Sequence, residues 1–297
     1  MQTSILEDSH IACPFQVLML DSQGVIGLGT AFFYEHAAEN FIITNWHNVV
    51  GKHPYTGEAL HDERSPSLMA AKWPSLEGIE DLGDGLLRTH FQAQPISIED
   101  EGQPLWFEHP EFGSVCDVVA IPFQKPDNWP PVTHKAANKI EEGSIPIRPG
   151  TSVAVIGFPL GLSTGPGLPL FKTGCLSSIP GFEIRLGGEF SPVGGLKSGI
   201  RTPALLLDVH TLPGMSGSPV FAEHSGLWNP ADPLASGITG NSVIGTGRMF
   251  LGCHSSRVLG LEDRSGLGLC FGEDVIKEIC QARFPGSRCV GISSESA

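Results

Sequence analysis

A chain of 297 residues with 40% apolar and 17% charged side chains can fold as one large or two modest domains, which excludes an intrinsically disordered protein. Its net charge of −14 leaves too little lysine and arginine to neutralise phosphates, which argues against binding of nucleic acid or of an anionic membrane surface. Glycine (37) and proline (24) are scattered along the chain and favour many short strands joined by turns over long helices.

The N-terminal stretch MQTSILEDSHIACPF has no basic segment followed by an apolar run, so no secretory signal is expected. No run of 18 apolar residues predicts a membrane-spanning helix. Cysteines at 13, 116, 175, 253, 270, 280 and 289, an odd number without CxxC spacing, read as reduced thiols of a cytoplasmic protein. GTAFFYE and NFIITN, joined by HAAE, predict a hairpin. From Asn48 to Cys116 the chain is polar, rich in Pro and Gly, with acidic runs such as SIEDEGQ; surface loops and short strands are expected there.

DVVAIPF (117–123) predicts the next strand, and the proline-rich segment 125–150 a connection between two halves. SVAVIGF (152–158), PALLLDVH (203–210), SPVFAE (218–223) and RMFLGCHSS (248–256) predict strands of the second half. GEDVIKEICQARF predicts a helix with Val275, Ile276, Ile279, Cys280 and Phe284 on one face and Glu273 and Asp274 at its positive end, stopped by Pro285-Gly286. The expected layout is a β half over 1–130, a linker over 131–150, a second β half over 151–271, and a helix and tail over 272–297.

One loop carries chemistry. In TLPGMSGSPVF (211–221) a serine stands between glycines. A serine hydroxyl becomes a nucleophile when a base, most often a histidine oriented by a carboxylate, removes its proton. Two N–H groups must also face the oxyanion that forms. The candidates with their own local frames are His47 in IITNWHNVVG and Asp117 in SVCDVVAIPF, with Ser216 in GMSGSP.

These frames, in the order His, Asp, Ser, resemble the chymotrypsin-like (trypsin-type) serine proteases over roughly residues 12 to 280. VAVIGFPLG and LFKTGCLSS are similar to the first strands of that family's second barrel. WFEHP and PGMSGSP resemble a bacterial intracellular subfamily of trypsin-like peptidases. The resemblance implies an all-β fold of two six-stranded antiparallel β-barrels, with a C-terminal helix. It implies His47 as general base, Asp117 as its orienter and Ser216 as nucleophile, with the N–H groups of Gly214 and Ser216 as oxyanion hole. Asn48 and Met215 depart from the animal digestive members, which carry a cysteine and an aspartate there. Without a carboxylate at 215, activation by a new N-terminal amine is excluded; the hole is either preformed or ordered by something else.

Thr211 lies five residues before Ser216, and Gly252-Cys253-His254 follows in a strand, which resembles the specificity pocket of glutamyl endopeptidases. A hydroxyl and a neutral or protonated imidazole there imply a Glu, Gln or Asp side chain before the scissile bond. The alternative is that His254 packs within its strand. An α/β-hydrolase reading, with Ser216, Asp232 and His254, lacks the helix that must follow the serine and the βα alternation. Zinc ligation by Cys253, His254 and Cys270, or by His53 and His61, matches no familiar spacing.

The expected function is a serine endopeptidase acting on a protein or peptide through an acyl-enzyme on Ser216, without metal or organic cofactor. The competing reading is a catalytically silent protease fold that binds peptides. A cytoplasmic protease implies control, by a regulatory partner, by the loops 51–110 and 224–247, or by narrow specificity; a bacterial stress or defence pathway would fit.

Overall fold

Alternation of apolar residues sets the first strands. In the computed structural model, which describes residues 10–11, 13–81, 87–124, 135–140, 143–164, 167–187, 199–234, 238–257 and 266–290, strand β1 (Pro14–Asp21) buries Phe15, Val17 and Met19 on one face. Strands β2 (Gly24–His36) and β3 (Glu39–Thr44) form the expected hairpin, zipped to His36 opposite Glu39. Only Ala37 and Ala38 remain for the turn. Both take positive φ, as a two-residue turn between twisted strands requires. The runs AFFY and FIIT are apolar on both faces because both faces are covered. Phe33 and Ile42 point into the core of this half, whereas Phe32, Tyr34, Phe41 and Ile43 point toward the other half.

A short helix, α1 (Trp46–Val50), follows β3. The region expected to hold loops and short strands instead contains a long hairpin, β4 (Leu68–Asp81) with β5 (Leu87–Ser97). Pro74 and Pro95 hid it. β5 is the edge of the sheet, where a proline costs no ladder bond on the open side, and the register is irregular between Pro74 and Ile79. A small ribbon, β6 (Glu99–Asp100) with β7 (Gln103–Pro104), precedes β8 (Phe107–Glu108) and β9 (Val119–Phe123).

The second half contains β10 (Ser152–Gly157), β11 (Leu170–Leu176), β12 (Ile184–Leu186), β13 (Ile200–Thr202), β14 (Ala204–Asp208), β15 (Pro219–Trp228), β16 (Val243–Arg257) and β17 (Leu267–Gly272). Six of them close into a barrel in the order β10-β11-β14-β17-β16-β15, and β12 pairs with β13 outside it. Segment 224–247, expected as a loop, begins and ends as an extension of the β15–β16 hairpin, with Leu227 opposite Ile244 and Ile244 84% exposed.

Helix α2 (Glu273–Ala282) buries Val275, Ile276, Ile279 and Cys280, as its periodicity predicts. Phe284 does not share that face. Arg283 takes a left-handed conformation that ends the helix first, and Phe284 is half exposed in β18 (Phe284–Pro285), paired to β8. The first sheet therefore runs β18-β8-β9-β3-β2-β1-β4-β5, eight strands curled into a barrel-like layer. The molecule has the double β-barrel architecture of the chymotrypsin type with a C-terminal helix. Residues 131–134 and 141–142 of the expected linker lie outside the described residues, as do 125–130 before it. Among the described residues, no helix is long and apolar enough to cross a membrane.

Three apolar clusters hold this arrangement: one inside each β half, and a third between them built from Phe32, Tyr34, Phe221, Phe250, Phe271 and the buried face of α2. That third cluster fixes the halves against each other, and the loops above it are brought face to face.

Candidate active site

His47 stands in the first turn of α1, where the end of β3 delivers it to the junction of the halves. Asp117, fully buried, arrives from the loop before β9. Its Oδ1 accepts the backbone N–H of His47 at 2.9 Å, and its Oδ2 lies 2.6 Å from His47 Nδ1. A carboxylate only accepts, so Nδ1 carries the proton and Nε2 presents a lone pair. Ser255 on β16 donates a further hydrogen bond to Asp117 Oδ2 at 2.6 Å, and Asn45 Nδ2 donates to the Asp117 carbonyl at 2.6 Å. Buried and ringed by donors, the carboxylate has one available orientation.

Ser216 comes from the loop before β15. It lines one cavity of about 310 Å³ together with His47, Thr211, His254 and Ser255. No hydrogen bond joins Ser216 Oγ to His47 Nε2 among those of the described residues; in unliganded sites such contacts are often long and tighten with substrate. The loop's backbone donors follow a pattern. Met215 N–H donates to Leu212 O at 3.2 Å, Gly217 N–H to His254 O at 2.9 Å, and Ser218 N–H to Met215 O at 3.0 Å. Gly214 and Ser216, the two residues expected to supply the oxyanion hole, donate to no acceptor among the described residues. Their N–H groups are the ones left for a ligand.

Thr211 and His254 are both buried and share the cavity wall. His254 Nδ1 lies 3.1 Å from the Leu269 carbonyl, which can only accept, so the proton sits on Nδ1 and Nε2 is an acceptor. Burial pushes the pKa of this imidazole down to about 4, against a smaller upward pull from the Leu269 carbonyl. Among the described residues no carboxylate lines the cavity; its walls also include His53, Pro54, Tyr55, Leu60, Leu212 and Leu269. The residues weighed as zinc ligands form no such site: among the described residues no group of three or more metal-ligating side chains converges. Asp232 of the α/β-hydrolase reading does not line this cavity.

Sequence reasoning missed several residues of the site. Ser255 contacts an aspartate 138 positions away, and Thr30 and Asn48 contact the nucleophile loop from 184 and 168 positions away. Nothing local in the sequence marks such contacts. Asn48, seen only as a departure from a pattern, donates from Nδ2 to Thr44 Oγ1 at 3.0 Å and to the Ser216 carbonyl at 3.3 Å.

Comparison with known proteins follows the same lines. The family model of the trypsin-like peptidase domain matches residues 29–227. No curated protein sequence matches the chain significantly. Among solved structures the chain is similar to the active form of the Rv3671c protease from M. tuberculosis, at 14% identity over 96% of this chain and 86% of that one, with a TM-score of 0.46. It is similar also to a serine endoprotease from Yersinia pestis (12% identity, 95% of this chain, 66% of that one, TM-score 0.45). A thermostable serine protease, AL20, from an extremophilic microorganism gives 10% identity over 93% of this chain and 98% of that one, with a TM-score of 0.44.

Proposed function

This chain belongs to the trypsin-like peptidase family and is a trypsin-like serine protease; on that premise we propose that His47, Asp117 and Ser216 are its catalytic residues and that glutamine is its preferred residue before the scissile bond. Ser216 Oγ attacks the peptide carbonyl while His47 Nε2 takes its proton. Asp117 holds the tautomer and stabilises the imidazolium. The N–H groups of Gly214 and Ser216 receive the developing oxyanion. His47 then returns the proton to the leaving amine and activates the water that hydrolyses the acyl-enzyme. The observation that carries this reading is the orientation of His47 by both oxygens of Asp117 beside a loop with two unused N–H groups.

The test is reaction of the purified chain with a fluorophosphonate, read by intact mass and by peptide mapping. One adduct on Ser216 is expected. An adduct elsewhere, or none, would refute the assignment and would favour a protease fold that only binds peptides.

The glutamine preference rests on His254. A glutamine amide offers an N–H to the bare Nε2 of a neutral imidazole and a carbonyl to the hydroxyl of Thr211. A glutamate offers acceptors only, so its carboxylate faces a lone pair until His254 is protonated. Lysine or arginine would meet no countercharge among the described residues of the cavity.

At about pH 8 a glutaminyl peptide is expected to be cleaved roughly 10²-fold more efficiently than its glutamyl counterpart. The folded-state pKa of His254 is depressed, so lowering the pH toward it protonates the imidazole and favours the carboxylate. The Gln/Glu ratio of kcat/KM therefore falls on acidification, and taking the ratio cancels every pH effect common to the two substrates. A ratio that stays flat from about pH 8 down to about pH 4, where His254 takes up its proton, or that is unchanged in His254→Ala, would remove His254 from the specificity site.

A further inference from the structure

Resting on that reading of the catalytic residues, we propose that Thr30 is a positioning residue that holds the oxyanion hole in its competent form, with no ion pair at position 215. Glycine at 214 makes the problem acute. Its φ is +91°, and a glycine backbone turns easily, so nothing in the local chain keeps its N–H aimed at the cavity. Met215 offers no charge; its side chain is fully buried with Val153, Val155, Leu207 and Val220 in the core of the second barrel.

What holds the loop is a donor on every carbonyl from 213 to 216. Leu160 N–H donates to Pro213 O at 2.6 Å. A trans peptide puts N–H and C=O on opposite sides, so this bond aims the Gly214 N–H away from Leu160. Thr30 Oγ1 donates to Gly214 O at 2.8 Å, and Thr30 N–H donates to Ser216 O at 2.8 Å. Ser218 N–H takes Met215 O at 3.0 Å. Thr30 alone therefore grips the loop at two carbonyls, on either side of the Ser216 N–H.

The hydroxyl of Thr30 also accepts the Phe158 N–H at 3.3 Å, so it ties the same loop to the segment that carries Leu160. Thr30 is itself fully buried, and its carbonyl accepts Thr44 Oγ1–H at 2.9 Å. Through β2 the first half of the molecule thus fixes the electrophilic half of a site whose nucleophile belongs to the second. An oxyanion hole bonded in this way is formed on folding and needs no cleavage elsewhere in the chain.

The experiment compares wild type with Thr30→Val, which keeps the branched shape without the hydroxyl, and Thr30→Ser, which keeps the hydroxyl. Each is treated with a fluorophosphonate over a range of concentrations and pH, with the melting temperature recorded. Thr30→Val is expected to lower the maximal rate of phosphonylation about 10- to 100-fold, without a matching change in half-saturating concentration. Thr30→Ser is expected to stay within about threefold of wild type. The pKa governing the rate is expected not to move, because His47 and Asp117 are untouched.

A Thr30→Val protein that labels like wild type overturns the proposal. So does a Thr30→Ser protein as impaired as the valine variant, because loss would then follow packing and not the hydroxyl. A wild type that never labels refutes the catalytic reading, and the proposal with it. A wild type that labels while Thr30→Val is equally fast refutes the proposal alone.

Discussion

Replacing Asp117 by asparagine is expected to lower kcat by roughly 10⁴-fold with little change in KM. All three close contacts of the carboxylate are with donors: the backbone N–H of His47, the His47 ring and the Ser255 hydroxyl. An asparagine amide can be placed in two ways. With its oxygen on the His47 backbone N–H, its NH₂ faces Nδ1 and forces the ring proton onto Nε2, where no proton can be taken from Ser216. With the amide turned over, the NH₂ meets the His47 backbone N–H, and two donors are left face to face in a buried site. The clash disfavours the second placement, so the first prevails, and it disables the base while leaving the geometry almost unchanged. The measurement is kcat and KM on a glutaminyl peptide, with the fluorophosphonate rate as an independent reading of Ser216. A loss of less than about 10-fold would show that the tautomer of His47 is set by something other than Asp117.

Gly214→Ala is expected to lower kcat by about 10²- to 10³-fold, the loss associated with removal of an oxyanion donor. Two independent constraints meet at this residue. Its φ of +91° is one that side-chain-bearing residues rarely adopt, and a Cβ there would lie 2.5 Å from the carbonyl oxygen of Phe158. The backbone of 158–161 cannot retreat freely, because Leu160 is bonded to Pro213 and Phe158 to Thr30. The loop must yield, and the Gly214 N–H moves with it. Global stability is expected to fall by only about 1–3 kcal/mol, because the strain is confined to one residue. Unchanged turnover in a folded Gly214→Ala protein would show that the Gly214 N–H does not receive the oxyanion.

The two substitutions act on different halves of the chemistry. Under the proposed mechanism, Asp117→Asn is expected to disable the base and leave the hole, and Gly214→Ala to distort the hole and leave the base. Their pH profiles separate them. The asparagine variant is expected to lose the dependence on His47 ionisation that the alanine variant keeps.

How much of this was legible in the sequence follows from the range of each interaction. Strands such as β2, β3 and β10 declare themselves because burial acts on successive residues, and the apolar pattern is therefore written locally. His47, Asp117 and Ser216 each sit in a frame of a few residues, and the pairing of Thr211 with His254 follows from the resemblance to glutamyl endopeptidases. The β4–β5 hairpin was not legible. Two prolines interrupt it, and its pairing is a matter of backbone hydrogen bonds at a sheet edge, which leave little mark on side-chain pattern. The arm of β15 and β16 escaped notice for the same reason. The end of α2 comes before Pro285-Gly286 because Arg283 adopts the left-handed stop that a glycine would have announced.

The sequence by itself determined a β-rich chain with a serine loop between glycines, a histidine loop and an aspartate at the mouth of a strand. Each depends on neighbours within a few positions. Only the tertiary structure decided that both oxygens of Asp117 turn to His47, that Ser255 and Asn45 complete its shell, and that Thr30 holds the loop of Ser216. It also decided which nitrogen of His254 is bare, since the carbonyl that settles this lies 15 residues away on a paired strand. Hydrogen bonds have directions, and a direction exists only after the partners have been brought together by packing of the apolar clusters beneath them.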